Sequence, residues 1–158
     1  MIEKYHLNNK LVLIKAKKLQ QQISCVEAVI EAGGNPILIG PDTNKFSEKV
    51  REFDKQYSTN TFTYSIDTIN EKNILQLKNT IFSRFDKYPD ILINDLGIDF
   101  KNENENNTVN IKLDEMMIKQ WNRIIHEELT SIILLTKIFG YQMAMANDGV
   151  IINILSDI

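Results

Sequence analysis

The chain has 158 residues, 43% of them hydrophobic and 25% charged, the proportions of one globular domain able to bury about 68–70% of its unfolded surface. Its formal charge of −3 sets up no field of the kind that gathers nucleic acid or anionic membrane, so neither is expected as a partner. With six glycines, three prolines and no internal period of 20 to 50 residues, repeat architectures have no support.

The apolar run LVLIK at residues 11–15 reads as a buried parallel strand. A helical pattern follows with Ile23, Val26, Val29 and Ile30 on one face, stopped by Gly33 and Gly34, and residues 36–40 supply a second short strand. Strand, turn, helix and strand make the βαβ half of a nucleotide-binding fold, which ordinarily carries a glycine-rich phosphate loop. Here that loop is KAKKLQQQ, without a glycine. Phe46, Val50 and Phe53 predict a short amphipathic helix, and the alternation of Phe62, Tyr64 and Ile66 predicts a third strand over 61–66. Thr68 and Glu71 have capping-box spacing ahead of a helix through Ile74, Leu77, Ile81 and Phe85, closed near Lys87 by Tyr88-Pro89.

DILIN at residues 90–94 predicts an interior strand buried on both faces. The acidic and amide-rich stretch that follows predicts a long surface loop. A helix is expected from Asp114 to Asn147, with Met117, Trp121, Ile124, Ile125, Leu129, Ile132, Leu135 and Phe139 as its stripe and a bend at Gly140, before a last strand over 150–154. Five strands alternating with four helices predict an open, mostly parallel α/β sheet with helices on both faces, in a single domain over residues 1–158. Ligands of such sheets bind beyond the carboxyl ends of the strands.

A single cysteine, Cys25, rules out an internal disulfide, suits a reducing cytoplasm and reads as a packing residue. The two histidines, His6 and His126, are far apart, so no metal site is expected. The amino-terminal stretch MIEKYHLNNK has no apolar core of signal-peptide length, and no stretch approaches the ~18 apolar residues of a membrane span. A cytoplasmic location is expected.

At the strand ends the chain resembles the short-chain dehydrogenase/reductase family over almost its full length. DILINDLGI resembles that family's DILVNNAGI strand and turn, and WNRIIHEELTSIILLTKIFGYQMAMANDGVIINILSDI resembles its long interface helix and the strand that delivers the catalytic serine. The polar insert after DLGI, the QW pair and IINILSD are similar to a branch linked with bacterial surface-sugar biosynthesis. The resemblance implies a Rossmann-like, doubly wound sheet of about five strands that lacks the C-terminal part of a full enzyme. It further implies NAD or NADP as cofactor, descent from an oxidoreductase acting on a small carbonyl, hydroxy or sugar substrate, and a homodimer through the helix from Asp114 to Asn147. By position Ser156 stands at the catalytic serine, Asp67 at the acid near the adenine, and Asn94 and Gly97 at the first and last places of NNAG, which shapes the cofactor floor.

The departures from the family pattern are as informative. The TGxxxGxG turn would cover Lys15 to Gln22, but its glycine positions hold Ala16, Gln20 and Gln22. Glycine there allows a tight turn and close backbone approach to the pyrophosphate, which glutamine side chains obstruct. The second strand ends in Gly40, where a residue for the ribose or its phosphate is expected, and the family's helix asparagine is Glu128. The tyrosine–lysine pair would follow Ser156 by more than ten residues, past Ile158. Together these imply a chain that does not carry out hydride transfer, or a non-catalytic Rossmann-like interaction module partnering itself or a companion enzyme.

Plain structural roles stand beside each functional one. Ser156 can be an ordinary cap, Asp67 a helix-start residue, and Asn94 a tie between strands. Lys15, Lys17 and Lys18 can form a lysine-based anion site or a solvated basic turn. Glu127 and Glu128, adjacent on a helix, point apart and do not share a site.

Overall fold

The computed structural model describes residues 6–15, 19–41, 43, 47–96 and 117–155. In chain order the elements are β1 (Leu11–Lys15), α1 (Leu19–Glu31), β2 (Asn35–Gly40), α2 (Ser47–Tyr57), β3 (Phe62–Ser65), α3 (Glu71–Phe85), β4 (Ile91–Leu96), α4 (Ile118–Ala146) and β5 (Val150–Leu155). The five strands pair in parallel in the order β3-β2-β1-β4-β5. This is the predicted Rossmann-like α/β sheet.

Because the strands are parallel, all their carboxyl ends lie on one edge. The chain winds outward from β1 to β3, then crosses back to β4 on the other side of β1. That reversal puts the topological switch point, where open α/β sheets bind ligands, between β1 and β4.

Side chains alternate across each strand and build two cores. Leu11, Leu13, Ile37, Ile39 and Leu92 pack under α3 and α4 against Ile74, Leu77, Ile81, Leu135 and Phe139. Val12, Ile14 and Leu38 pack on the other face against Val26, Val29 and Ile30 of α1 and Val50 and Phe53 of α2. That second layer covers β1 and β2 but not the far side of the sheet. Ile91 and Ile93 of β4 are therefore only half-buried, whereas burial on both faces was expected, and Val150 and Ile152 of β5 are 50% and 43% exposed.

Local chemistry sets the element ends. Gly33 takes φ 82° to end α1, its N–H reaching Ile30 O at 2.9 Å while Gly34 N–H reaches Val29 O at 2.8 Å. Helix α3 is capped by Asn70, whose side chain accepts from the N–H groups of Lys72 and Asn73, and Asp86 closes it in the left-handed conformation. The capping box expected from Thr68 and Glu71 does not form. An amide two residues on fits the helix N-terminus better, and Thr68 is buried instead. Helix α4 runs unbroken through Gly140, where a bend was expected; a Cβ there would lie 3.1 Å from Ile151 Cδ1. Glycine at this point lets the helix approach β5. The predicted start of α4 at Asp114 lies outside the described residues.

By length and composition α4 is the one described helix able to cross a bilayer, contrary to the expectation that no such stretch exists. It instead lies along β4 and β5 with Ile124, Glu128, Ser131, Leu135 and Phe139 buried.

Candidate functional site

At the switch point the structure places a buried ion pair. Lys15 follows Leu11 and Leu13 at strand spacing, so its side chain points to the α4 face along with theirs. Glu128 follows Ile124 by one helical turn and precedes Leu135 by two, which puts it on the buried stripe of α4. The two charges meet, with Lys15 Nζ donating to Glu128 Oε2 at 2.6 Å, and the side chains are 8% and 5% exposed. The same ammonium donates to the backbone oxygen of Asp95 at 3.1 Å.

A polar row continues from this pair. Lys15 is in register with Asn94 of β4, and Asn94 with Asn153 of β5. Asn94 Nδ2 donates to Asn153 Oδ1 at 2.9 Å, tying the two strands, and Asn94 is fully buried. Its Oδ1 and the buried hydroxyl of Ser131, one turn beyond Glu128, have no hydrogen-bond partner among the described residues. Asp95, next along β4, projects to the opposite face, where it is 1% exposed. Burial first, then the nearby Asp95 charge, pushes the Cys25 thiol above its ordinary value. Half-buried beside the second core, Cys25 is a packing residue rather than a reactive one.

The remaining expected site residues are dispersed or undescribed. Asp67 Oδ1 accepts from Ile69 N–H at 3.0 Å, a local turn at the approach to α3. It also borders a cleft of about 350 Å³ lined by Tyr64, Ile66, Asn73, Leu77 and Thr80, which touches no residue of β1, β4 or α4. Gly97 and Ser156 lie outside the described residues, as do Lys17, Lys18 and Asp42. Gln20 and Gln22 fall within the first turn of α1. No cluster of three or more His, Cys, Asp or Glu side chains suited to a metal occurs among the described residues.

Lys15 is thus neither an anion site nor part of a solvated turn. Alternation from two core leucines, not proximity to the phosphate turn, decides where it points. Glu128, in the sequence a departure from the family's asparagine and a neighbour of Glu127, is an acid centred on an apolar helical stripe, a pattern that signals a buried polar partner opposite.

A sequence profile described as short chain dehydrogenase matches residues 23–158. The chain belongs to the short-chain dehydrogenase family. Among solved structures of similar fold is L-sorbose reductase from Gluconobacter frateurii, complexed with NADPH and L-sorbose (TM-score 0.69, 16% identity, covering 94% of this chain and 53% of that one). Another is a gluconate 5-dehydrogenase from Burkholderia cenocepacia J2315 with NADP and tartrate (0.72, 17%, 95% and 55%). A third is a short chain oxidoreductase from Pseudomonas aeruginosa PAO1 containing an atypical catalytic center (0.72, 14%, 94% and 53%). This chain spans little more than half the length of each. No curated protein matches it.

NAD and NADP are the cofactors such a family implies, and the described residues at this edge offer neither a glycine cradle nor an outward-facing cation for a pyrophosphate. A pyrophosphate at the N-terminus of α1 needs close backbone approach, and residues 15–22 include no glycine. The one described lysine of that turn directs its ammonium into the protein, to Glu128 and Asp95.

Proposed function

We propose that this chain is a short-chain dehydrogenase framework that does not perform hydride transfer: an oxidoreductase by descent whose cofactor edge has been rebuilt as internal structure. The observation that carries this reading is the Lys15–Glu128 pair at 2.6 Å. Glu128 stands at the family's active-site asparagine and Lys15 at the first position of its phosphate turn, and the two side chains meet inside the protein. The missing glycines point the same way. The sugar and sugar-acid names of its structural neighbours support a small carbonyl, hydroxy or sugar compound as the ancestral substrate class. A single half-buried thiol suits the cytoplasm.

Titration with NADH and NADPH, read by calorimetry and nucleotide fluorescence, tests the reading. No saturable binding is expected up to millimolar cofactor; a Kd below that range overturns it.

A second reading, an interaction module, is favoured by the exposed apolar side chains along α4. Trp121, Leu129, Ile133, Tyr141 and Met145 are 40%, 42%, 62%, 61% and 69% exposed. Apolar side chains exposed along the length of this helix are suited to pairing with a second copy through α4. Light scattering of the purified chain is expected to give a dimer; a stable monomer at tens of micromolar would remove this reading.

A further inference from the structure

We propose that two copies of this chain join through the outer edge of β5, antiparallel across a two-fold axis perpendicular to the sheet, so that their five-stranded sheets become continuous. The inference rests on the interaction-module reading and deepens it by naming the strand that pairs and the side of α4 that packs with it.

The two outer strands of the sheet are unlike. β3 is four residues long, and the Arg84 guanidinium stands 4.1 Å from the ring centre of its Phe62, a charge of the kind that guards an edge. β5 is six residues long, reads VIINIL without a charge or a proline, and has no neighbour on its outer side among the described strands. The backbone groups along that side are open to another strand. A second β5 suits them. An uncharged strand meets its own copy with no like charges opposed, and the contact is isologous, so it closes as a dimer instead of propagating.

Helix α4 fits the same arrangement. A Cβ at Gly140 would lie 3.1 Å from Ile151 Cδ1, which sets the Gly140 side of the helix toward β5. Leu129, Ile133 and Thr136 precede Gly140 by about three, two and one turns and share that side. Of these, Leu129 and Ile133 are exposed. Because α4 packs on both β4 and β5, its axis stands one strand spacing, ~4.8 Å, from the proposed two-fold axis. The two α4 helices then run about 10 Å apart on one face of the joined sheet, close to the spacing at which helices pack. Leu129 and Ile133 face their copies across that space. Strand pairing and helix packing are satisfied by one geometry.

Sedimentation equilibrium of the full chain tests the proposal, using Ile152→Lys, Ile133→Glu and, on another side of α4, Met145→Glu. All three side chains are exposed, and urea unfolding followed by Trp121 fluorescence checks that each variant folds. The wild type is expected to be a dimer. Ile152→Lys sets two lysines on one face beside the axis and is expected to raise the dimer Kd about a hundredfold, as is Ile133→Glu. Met145→Glu is expected to stay within about threefold of wild type. An unchanged Kd for Ile152→Lys with a disruptive Ile133→Glu would sink the strand pairing and leave the interaction-module reading standing; a wild-type monomer at tens of micromolar would remove both. A Met145→Glu variant as disruptive as the others, or open-ended polymers of the wild type, would also overturn the two-fold contact. Should Ile152→Lys not fold, hydrogen exchange of the wild type decides. Amides of residues 150–155 are expected to slow on the order of tenfold in the dimer, and unchanged rates overturn the proposal.

Discussion

Asp90 shows how much of this fold can hang on one carboxylate. At the amino edge of the sheet its Oδ2 accepts from Leu11 N–H at 2.7 Å and from Lys87 Nζ at 2.8 Å, and its Oδ1 from Lys10 Nζ at 3.3 Å. Burial alone would push this carboxyl up; the Leu11 N–H, Lys87 and Lys10 outweigh it and hold it below the usual value. Asp90→Ala leaves the N–H at the start of β1 without its acceptor, and is expected to cost about 1–3 kcal/mol in urea unfolding. The sign of the pH effect follows from the depressed value. The native state binds the Asp90 proton less tightly than the unfolded state, so the contribution is complete above the unfolded value near 3.8 and fades as pH falls through the lower native one. The gap between wild type and variant should therefore narrow below about pH 4. Lys10 behaves oppositely: its bonds to Asp148, then Asp90, raise it, so its contribution holds below 10.5 and fades at more alkaline pH.

At the same scale, Lys15 and Glu128 show what was and was not legible. Both sit on apolar stripes, one of period two and one of period 3.6, so burial of each could be read from its neighbours. Their meeting could not. It depends on β1 lying next to β4 and on α4 packing over β4, which brings residues far apart in the chain together.

Among the elements, α4 carries two different apolar surfaces, and the periodic pattern alone does not separate them. Leu135 and Phe139, both on the stripe expected for this helix, are fully buried, while Ile133 and Met145 face outward. Phe139→Ala is therefore expected to cost about 3–5 kcal/mol, measured as a shift in the urea midpoint. Ile133→Glu should leave unfolding within about 0.5 kcal/mol of wild type yet convert a dimer to a monomer in light scattering. A destabilised Ile133→Glu would show that this face is packed within the chain instead. Boundaries were less legible than existence. β4 runs through Leu96, two residues past the expected end, because Asp95 and Leu96 still pair with Ile154 and Leu155 of β5.

For the molecule as a whole, the sheet is covered unevenly. Helices α1 and α2 shield β1 and β2, and α3 and α4 shield the opposite face, but β5 presents Val150 and Ile152 on a strand whose outer edge has no neighbour among the described strands. An apolar edge of this kind templates association. Ile152→Lys is expected to raise the concentration at which turbidity appears without lowering the urea midpoint; unchanged turbidity would mean that the edge is shielded.

The amino-acid sequence by itself determined the α/β class, the number and order of strands and helices, and membership of the short-chain dehydrogenase family. Those follow from local periodicity and from turn residues, which act over one element and its neighbours. Only the tertiary structure decided where Lys15 directs its ammonium, which side of α4 is core, and which half of the sheet stays bare. Each depends on strand order and helix crossing, which bring distant residues together and so determine whether a charge meets water, a ligand or its opposite.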